Sequence, residues 1–403
     1  MKLKNQLVVL AFFCFALTNL MSQSYIASPI SKYKLELDKK FKKYEVYELN
    51  IENMFASLKT RGIRTEVNLV AGSHNWNLEL FENDIFSKNY VRSIGDNNGV
   101  HRSNVRPIQS YVGNISGLRG GNVIFSISKD VLIASIEYNG TIYYIENLKG
   151  LVEDATSNEI IIYQASDVIE NKDVLCGFEA TKQISVKTME PNSDRGHCLI
   201  VEVALACDYS VYLVRGHGSD AWASGILALV AGNFDDEFGH RVEMDVAGTF
   251  VALSQIADPW YFSTTINEHL SQHVLWGNGG GYGVGYDVAT AWTRKYTGGV
   301  VGLAYLGVVC TSNRYNVCSD FSGIDNINRQ LQAHELGHNF NAIHDNGGSY
   351  IMAPVVNGSS TWSLLSIGAI NSHMLSRGCL GSCGNVEPPE AAFSATPISG
   401  CVP

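Results

Sequence analysis

The chain has 403 residues, 45% of them hydrophobic and 17% charged, with a formal net charge of −10 at pH 7. That length admits two or three domains and a sizeable core. The acidic balance and the lack of any Lys/Arg block argue against nucleic acid as a partner.

The N-terminus comes first. Lys2 and Lys4 precede an apolar run at residues 7–17, and polar residues follow. A membrane span needs about 20 apolar residues. This run is too short, and its layout is that of a secretory signal peptide over residues 1–22. A buried N-terminal helix is the alternative. No later segment is apolar enough to cross a bilayer, so the expectation is a secreted, extracellular protein with no membrane association once the signal is removed. Of the nine cysteines, Cys14 leaves with the signal. Most of the others should pair in an oxidising compartment. No C-x-x-C is present, which argues against a cysteine-only zinc site.

Residues 24–190 read as β-rich. Residues 122–148 alternate in polarity and are crowded with β-branched and aromatic side chains, and Asn139-Gly140 is a hairpin turn signal. Residues 158–167 predict another strand. The segment holds no histidine cluster and reads as a packed unit without chemistry of its own. Residues 191–196 are a turn-rich break. The pattern then changes to alternating strands and helices: strand 198–207, helix 221–238, strand 241–254, helix 264–276, a glycine-rich loop, strand 298–310 and a helix from Asp325 to His338. That alternation predicts a mixed α/β layer domain. Beyond it, residues 387–403 carry four of the nine prolines.

The last helix carries HELGHNFNAIHD at residues 334–345. His334 and His338 are four apart and share a helical face, so both imidazoles can reach one Zn²⁺. Glu335 lies beside the first ligand, within reach of a water that zinc would acidify towards a pKa of ~7. A catalytic zinc takes a third protein ligand and keeps a fourth position open. His344 qualifies only if the helix stops and the chain turns sharply, and Asn341 tolerates the positive φ this requires. The plain alternative is a solvated helix with incidental histidines.

These residues resemble the metzincin metalloprotease motif H-E-x-x-H-x-x-G-x-x-H, with Asn341 in the glycine position. Met352, eight residues after His344, matches the family's methionine turn. Asp345 directly after the third histidine and the Met352-Ala353-Pro354 run are similar to the adamalysin, or reprolysin, branch. The resemblance implies an α+β fold: a zincin-like catalytic domain with a mixed, mostly parallel sheet, preceded by a β-rich propeptide. It implies zinc held by His334, His338 and His344, Glu335 as general base, and protein or peptide substrates. It implies that Gly302, Leu303, Ala304, Tyr305, Leu306 and Gly307 form an edge strand that pairs with extended substrate. Residues 44–165 resemble a reprolysin propeptide, notably WNLELFENDIF and the strand Tyr143-Tyr144-Ile145-Glu146. Cys176 lies near its end, where a thiolate would hold the zinc in a latent form. The implied division is signal 1–22, propeptide 23–193, metalloprotease 194–385, and a linker at 386–403 that resembles the start of a PKD-like domain, which would make the sequence a fragment. A calcium site would map to Glu202, Asp287 and the Cys379 carbonyl, with Ser382 where the family has asparagine. The resemblance also implies a Cys310–Cys379 disulfide and, as a weaker guess, Cys318–Cys383. Arg195 stands alone, without a dibasic activation site. Two rival functions are a catalytically silent binding or adhesion protein on the same fold, and a zinc hydrolase of non-peptide esters or amides.

Overall fold

The structure is a computed structural model that describes residues 23–59, 64–118, 120–169, 174–179 and 198–383. The expected signal segment, Arg195 and the PKD-like tail lie outside the described residues.

Nine strands close a barrel: β1 (Gln23–Pro29), β2 (Glu45–Glu48), β3 (Arg64–Ala71), β4 (His74–Glu82), β7 (Gln109–Ile115), β8 (Asn122–Ile127), β9 (Leu132–Tyr138), β10 (Thr141–Asn147) and β11 (Glu159–Gln164). Neighbours are antiparallel except where β1 meets β3 and the barrel shuts. Closure leaves no unpaired edge. Alternation puts Trp76, Leu78, Leu80, Phe125, Ile136, Ile145 and Ile160 inside. Among the helices, α1 (Lys34–Leu37) is a single turn, and α2 (Ile51–Leu58) adds Ile51, Met54 and Leu58 to the barrel interior. The Asn50 side chain caps α2 by accepting from Asn53 N–H at 2.9 Å. The Asn139-Gly140 hairpin forms as the sequence predicts, with φ of 51° and 73°.

The second sheet is mixed and mostly parallel. Its main path, in spatial order, is β12 (Val174–Glu179), β16 (Gly299–Tyr305), β17 (Tyr315–Ser319), β15 (Val288–Thr293), β13 (Leu199–Cys207), β14 (Val242–Ala252), β5 (Phe86–Asp96) and β6 (Gly99–Ser103). A two-residue strand, β18 (Gly381–Ser382), pairs beside β13. Helices α3 (Tyr209–Arg215), α4 (Ser219–Glu237), α5 (Ile266–Asn278), α6 (Asp325–Asn339) and α7 (Leu364–Leu375) complete the unit. Helix α5 begins with a full capping box of Thr265 and Glu268.

Two features depart from the sequence expectation. The hairpin β5–β6, assigned by sequence to the N-terminal unit, adds to the far side of the second sheet along β14. The strand expected as a substrate-binding edge is not an edge here. It runs from Gly299 to Tyr305, and β12 pairs with it in parallel, Cys176 opposite Gly302 and Leu303 opposite Gly177. Leu306 and Gly307 fall in a turn, where Gly307 has φ 67° and its N–H donates to His338 O at 2.8 Å. The pairing partner of an edge is remote in sequence, so local alternation cannot reveal it.

Candidate metal centre

Helix α6 is buried at every one of its residues. One side lies on the sheet and the other on α4. It stops at Asn339, and Asn341 takes φ 74°. Asn341 N–H donates to His338 O at 2.8 Å and Ala342 N–H to Gly337 O at 2.9 Å. This left-handed turn reverses the chain and returns His344 to the face of His334 and His338, as the sequence requires of Asn341.

The three imidazoles converge. His344 Nε2 lies 3.2 Å from His334 Nε2 and 3.2 Å from His338 Nε2. Ligands on a tetrahedral zinc at about 2.0–2.1 Å stand roughly 3.3–3.4 Å apart, so the cluster has the spacing that ion needs. The other ring nitrogens are tied back: His334 Nδ1–H donates to Ile351 O at 2.8 Å and His338 Nδ1–H to Ala342 O at 2.7 Å. Those bonds fix the tautomer that leaves an Nε2 lone pair for a metal. Burial depresses the His334 imidazole to about 3 and pushes His338 well below its ordinary value and His344 below its own. All three are therefore neutral, as metal ligands must be.

Beneath the histidines, Met352 is fully buried. A Cβ on Gly337 would come within 2.5 Å of Met352 Sδ and 3.0 Å of the Trp362 ring, so only glycine lets that floor close. Asp345 N–H donates to Met352 O at 2.9 Å, and the Asp345 carboxylate accepts from Ser363 Oγ at 2.6 Å. The turn that holds Met352 is thus tied to the residue after the third histidine.

Glu335 is fully buried, and burial pushes its carboxyl well above the usual carboxylate range. It faces Gly302 of β16, where a Cβ would collide with the carboxyl. Cys176 Sγ, a His334 ring nitrogen and a Glu335 oxygen all lie within 4.8 Å of one another. Burial raises the Cys176 thiol well above its ordinary value, with Glu335 and Cys318 adding to the shift. Cys176 N–H donates to Pro354 O at 3.2 Å, and Leu175 bridges to Val355. Strand β12 therefore lies in a groove between β16 and the 354–355 segment, its thiol turned into the histidine cluster.

The structure thus brings together His334, Glu335, His338, His344, Met352, Cys176 and Gly302 from the sequence reading. Leu303, Ala304 and Tyr305 share β16. The proposed calcium residues are less well matched. Glu202 N–H donates to Asp287 Oδ2 at 2.9 Å, and Asp287 otherwise neighbours the Cys310–Cys379 disulfide. The Glu202 carboxylate joins no donor cluster of three or more among the described residues. Calcium takes six to eight oxygens, and of the residues in that reading only Asp287 and Cys379 share a side-chain donor cluster among the described residues. Cys310 and Cys379 pair, with Cα atoms 6.3 Å apart. The Cys318–Cys383 guess is corrected: Cys383 pairs with Cys198 (Cα–Cα 5.3 Å), and Cys318 is a buried free thiol. Strand β17 points Cys318 inward beside Asn316, whereas β18 carries Cys383 to the start of β13.

Asn339 was missed. Its side chain donates to Tyr305 O at 2.9 Å and accepts from Asn316 Nδ2 at 2.7 Å, locking the end of α6 to β16 and β17. Nothing in its spacing distinguishes it from a surface asparagine. The groove wall at Pro354 and Val355 was missed too, since its partner is remote in sequence.

Comparison with known proteins agrees with this geometry. Residues 199–364 match the reprolysin-type model of Metallo-peptidase family M12. A stretch of 119 residues, 27% of this chain, is 32% identical to Disintegrin and metalloproteinase domain-containing protein 9 of Homo sapiens. The chain spans only 14% of that relative's length. The fold is similar to that of metalloproteinase-II from Bacteroides fragilis, with a TM-score of 0.52 at 12% identity, covering 80% of this chain and 96% of that one. At that identity the likeness concerns fold alone, but 80% of the chain is more than residues 198–383 supply, so it extends into the N-terminal barrel.

Proposed function

Residues 199–364 are a reprolysin-type metzincin domain of the M12 metallopeptidases, and from that premise we propose that the chain is the precursor of a secreted zinc endopeptidase. The observation that carries the reading is the triangle of His334, His338 and His344 beside a buried Glu335. His334, His338 and His344 would hold the ion, which supplies Lewis-acid polarisation of a carbonyl and acidifies a water. The chain's own residues do the rest. Glu335, held in a dry pocket, takes the proton from the attacking water and later delivers it to the leaving amine. Strand β16 offers backbone groups to an extended peptide.

In the precursor, β12 occupies that groove. It enters parallel to β16 and presents the Cys176 side chain, not a peptide carbonyl, towards Glu335 and His334. A thiolate there would fill the open metal position and block attack. Residues 23–193 act on this reading as the propeptide and 194–385 as the enzyme. Secretion rests on the N-terminal pattern and the disulfides.

Digestion of a peptide library by protein freed of residues 23–193 tests the proposal. Internal cleavage that a chelator abolishes and zinc restores is the expected outcome. No cleavage of any peptide would favour the silent binding protein, and cleavage unaffected by chelation would remove the metal from the mechanism.

A further inference from the structure

The N-terminal body is seated on the protease unit at several places. Gly218, the N-cap of α4, and Gly225 and Gly232 within it recur at a spacing of seven, one stripe along one face. A Cβ on Gly218 would stand 2.9 Å from Val131 Cγ2, and one on Gly225 2.8 Å from Ile133 Cδ1; on Gly232 it would meet Ile124 Cδ1. Side chains from β8, β9 and the turn between them therefore rest directly on the α4 backbone. Hairpin β5–β6 extends β14, and one apolar cluster runs across the boundary, from Phe86, Ile108 and Ile133 to Ile226 and Phe234. These contacts are apolar or backbone, and none of them titrates.

Ionisable groups cross the boundary too: Arg92 of β5 pairs with Asp220 of α4, and a barrel carboxyl meets α6. Glu146, on β10, is 1% exposed. Its Oε2 accepts from Asp325 N–H at 2.7 Å. Asp325 is the first residue of α6, the helix that carries the histidines, and the preceding Ile324 provides no side-chain cap. The N-terminal body thus caps the metal helix from outside it. That bond sets the Glu146 carboxylate directly against Asp325, and both carboxyl groups are buried.

Two carboxyl groups buried on neighbouring residues this close cannot both stay ionised cheaply, so the pair holds one proton between them. The surrounding groups do not remove that need. From β11, the Tyr163 hydroxyl accepts from Asn326 N–H at 3.4 Å. From α3, Arg215 reaches Asp325 at 3.4 Å but lies closer to Asp320, at 2.9 Å. Arg294 also closes on Asp320, at 2.5 Å. Lys40 donates to Ser322 O at 2.5 Å. From α4, Trp222 Nε1–H donates to Asp325 Oδ1 at 2.8 Å. The arginines are therefore committed chiefly to Asp320, and Glu146 is left facing Asp325 and Tyr163, with Oε1 unpaired among the described residues.

Burial, then the Asp325 charge, pushes Glu146 well above the usual carboxylate range, and burial raises Asp325. In the separated parts Glu146 would meet water and return to an ordinary value of about 4.3. Docking therefore takes up a proton. Its contribution is complete below that ordinary value and is lost as pH rises through the raised one.

We infer that the N-terminal body is a proton-released cap: once the chain is cut between Glu179 and Cys198, the body stays seated on residues 198–383 in acid and leaves as the Glu146–Asp325 pair gives up its shared proton. The inference rests on the zymogen reading above, and concerns what holds the propeptide rather than whether it inhibits.

The test uses the full chain with a site for a specific protease placed within residues 180–197, and Glu335→Gln in every sample to prevent self-digestion. After cutting, dissociation of the N-terminal fragment is followed by surface plasmon resonance at about pH 5, 7 and 9, with its Kd expected to rise by up to about tenfold per pH unit across the transition. Glu146→Gln keeps the shape and still accepts from Asp325 N–H, but has no proton to exchange. Its retention should change by less than about twofold over the same range, because no proton is exchanged. Asp325→Asn, measured in parallel, should flatten the transition or move it to lower pH. Wild-type release independent of pH, or a transition unmoved in both variants, overturns the inference. Hydrolysis by a cut complex with Glu335 intact is scored separately: activity with the cap still seated sinks the zymogen reading and leaves the proton-released contact standing.

Discussion

Gly302→Ala separates the chemistry of the site from its folding. Gly302 lies opposite both Cys176 and Cys318 and faces the α6 carboxyl. A Cβ there would stand 2.9 Å from Glu335 Cδ and 2.7 Å from Leu331 Cδ1, and nearer still to Glu335 Oε1. Carbon pairs rest at roughly 3.5–4.0 Å, so Glu335 must retreat by on the order of 1 Å. The far end of a glutamate can swing, so the cost to the fold should be modest, about 1–2 kcal/mol for an overpacked methyl. Catalysis should suffer much more, since a misplacement of ~1 Å costs on the order of 100-fold. The histidines are untouched, so bound zinc should be unchanged. The assay is kcat/KM on an internally quenched peptide with activated protein, alongside zinc content and a thermal melt. Wild-type kcat/KM in Gly302→Ala would refute the placement of Glu335 against β16. Loss of zinc together with activity would mean that the alanine disturbs the histidines instead.

Three further outcomes are expected. Cys176→Ala should give a precursor that hydrolyses peptide or processes itself early, and thiol-modifying reagents should wake the wild-type precursor; a variant as inert as wild type would assign latency to bulk alone. Replacing Cys310 and Cys379 by serine opens a bridge of sequence separation 69 and should cost about 2–4 kcal/mol in denaturant unfolding, while peptide maps of unreduced protein should also recover Cys198–Cys383. For Asp320, burial would raise the carboxyl, but Arg215 and Arg294 outweigh it and hold the group at about 2. Its contribution is complete above the unfolded value near 4 and lost as pH falls through about 2, which amounts to roughly 2.5 kcal/mol; precursor unfolding followed from about pH 6 down to pH 2 should show that slope, and Asp320→Asn should flatten it.

The centre was legible because its signals are local. A spacing of four on a helix fixes a shared face for His334 and His338, and Asn341 is one of five described non-glycine residues with positive φ. The Asn139-Gly140 turn was legible for the same reason. Strand pairing was not. Nothing in residues 86–103 announces that they will line up on β14 instead of joining the barrel, and nothing in residues 174–179 announces β16 as their neighbour. Those choices are made by registry between distant segments. Helix α4 was predicted in place, but its burial on both faces depends on the barrel that covers the glycine stripe. The Cys318–Cys383 guess fails because a resemblance in sequence does not say which side of β17 a thiol will face.

The central claim is that Glu335 moves a proton beside a zinc held by three histidines. Glu335→Ala in activated protein tests it most directly, with metal content and peptide hydrolysis measured on the same sample. The expected result is one zinc per chain, as in wild type, and hydrolysis lowered by roughly 10²–10⁴-fold, the range for loss of a general base. Hydrolysis close to wild type, or wild-type protein that carries no zinc while cleaving peptide, would contradict it.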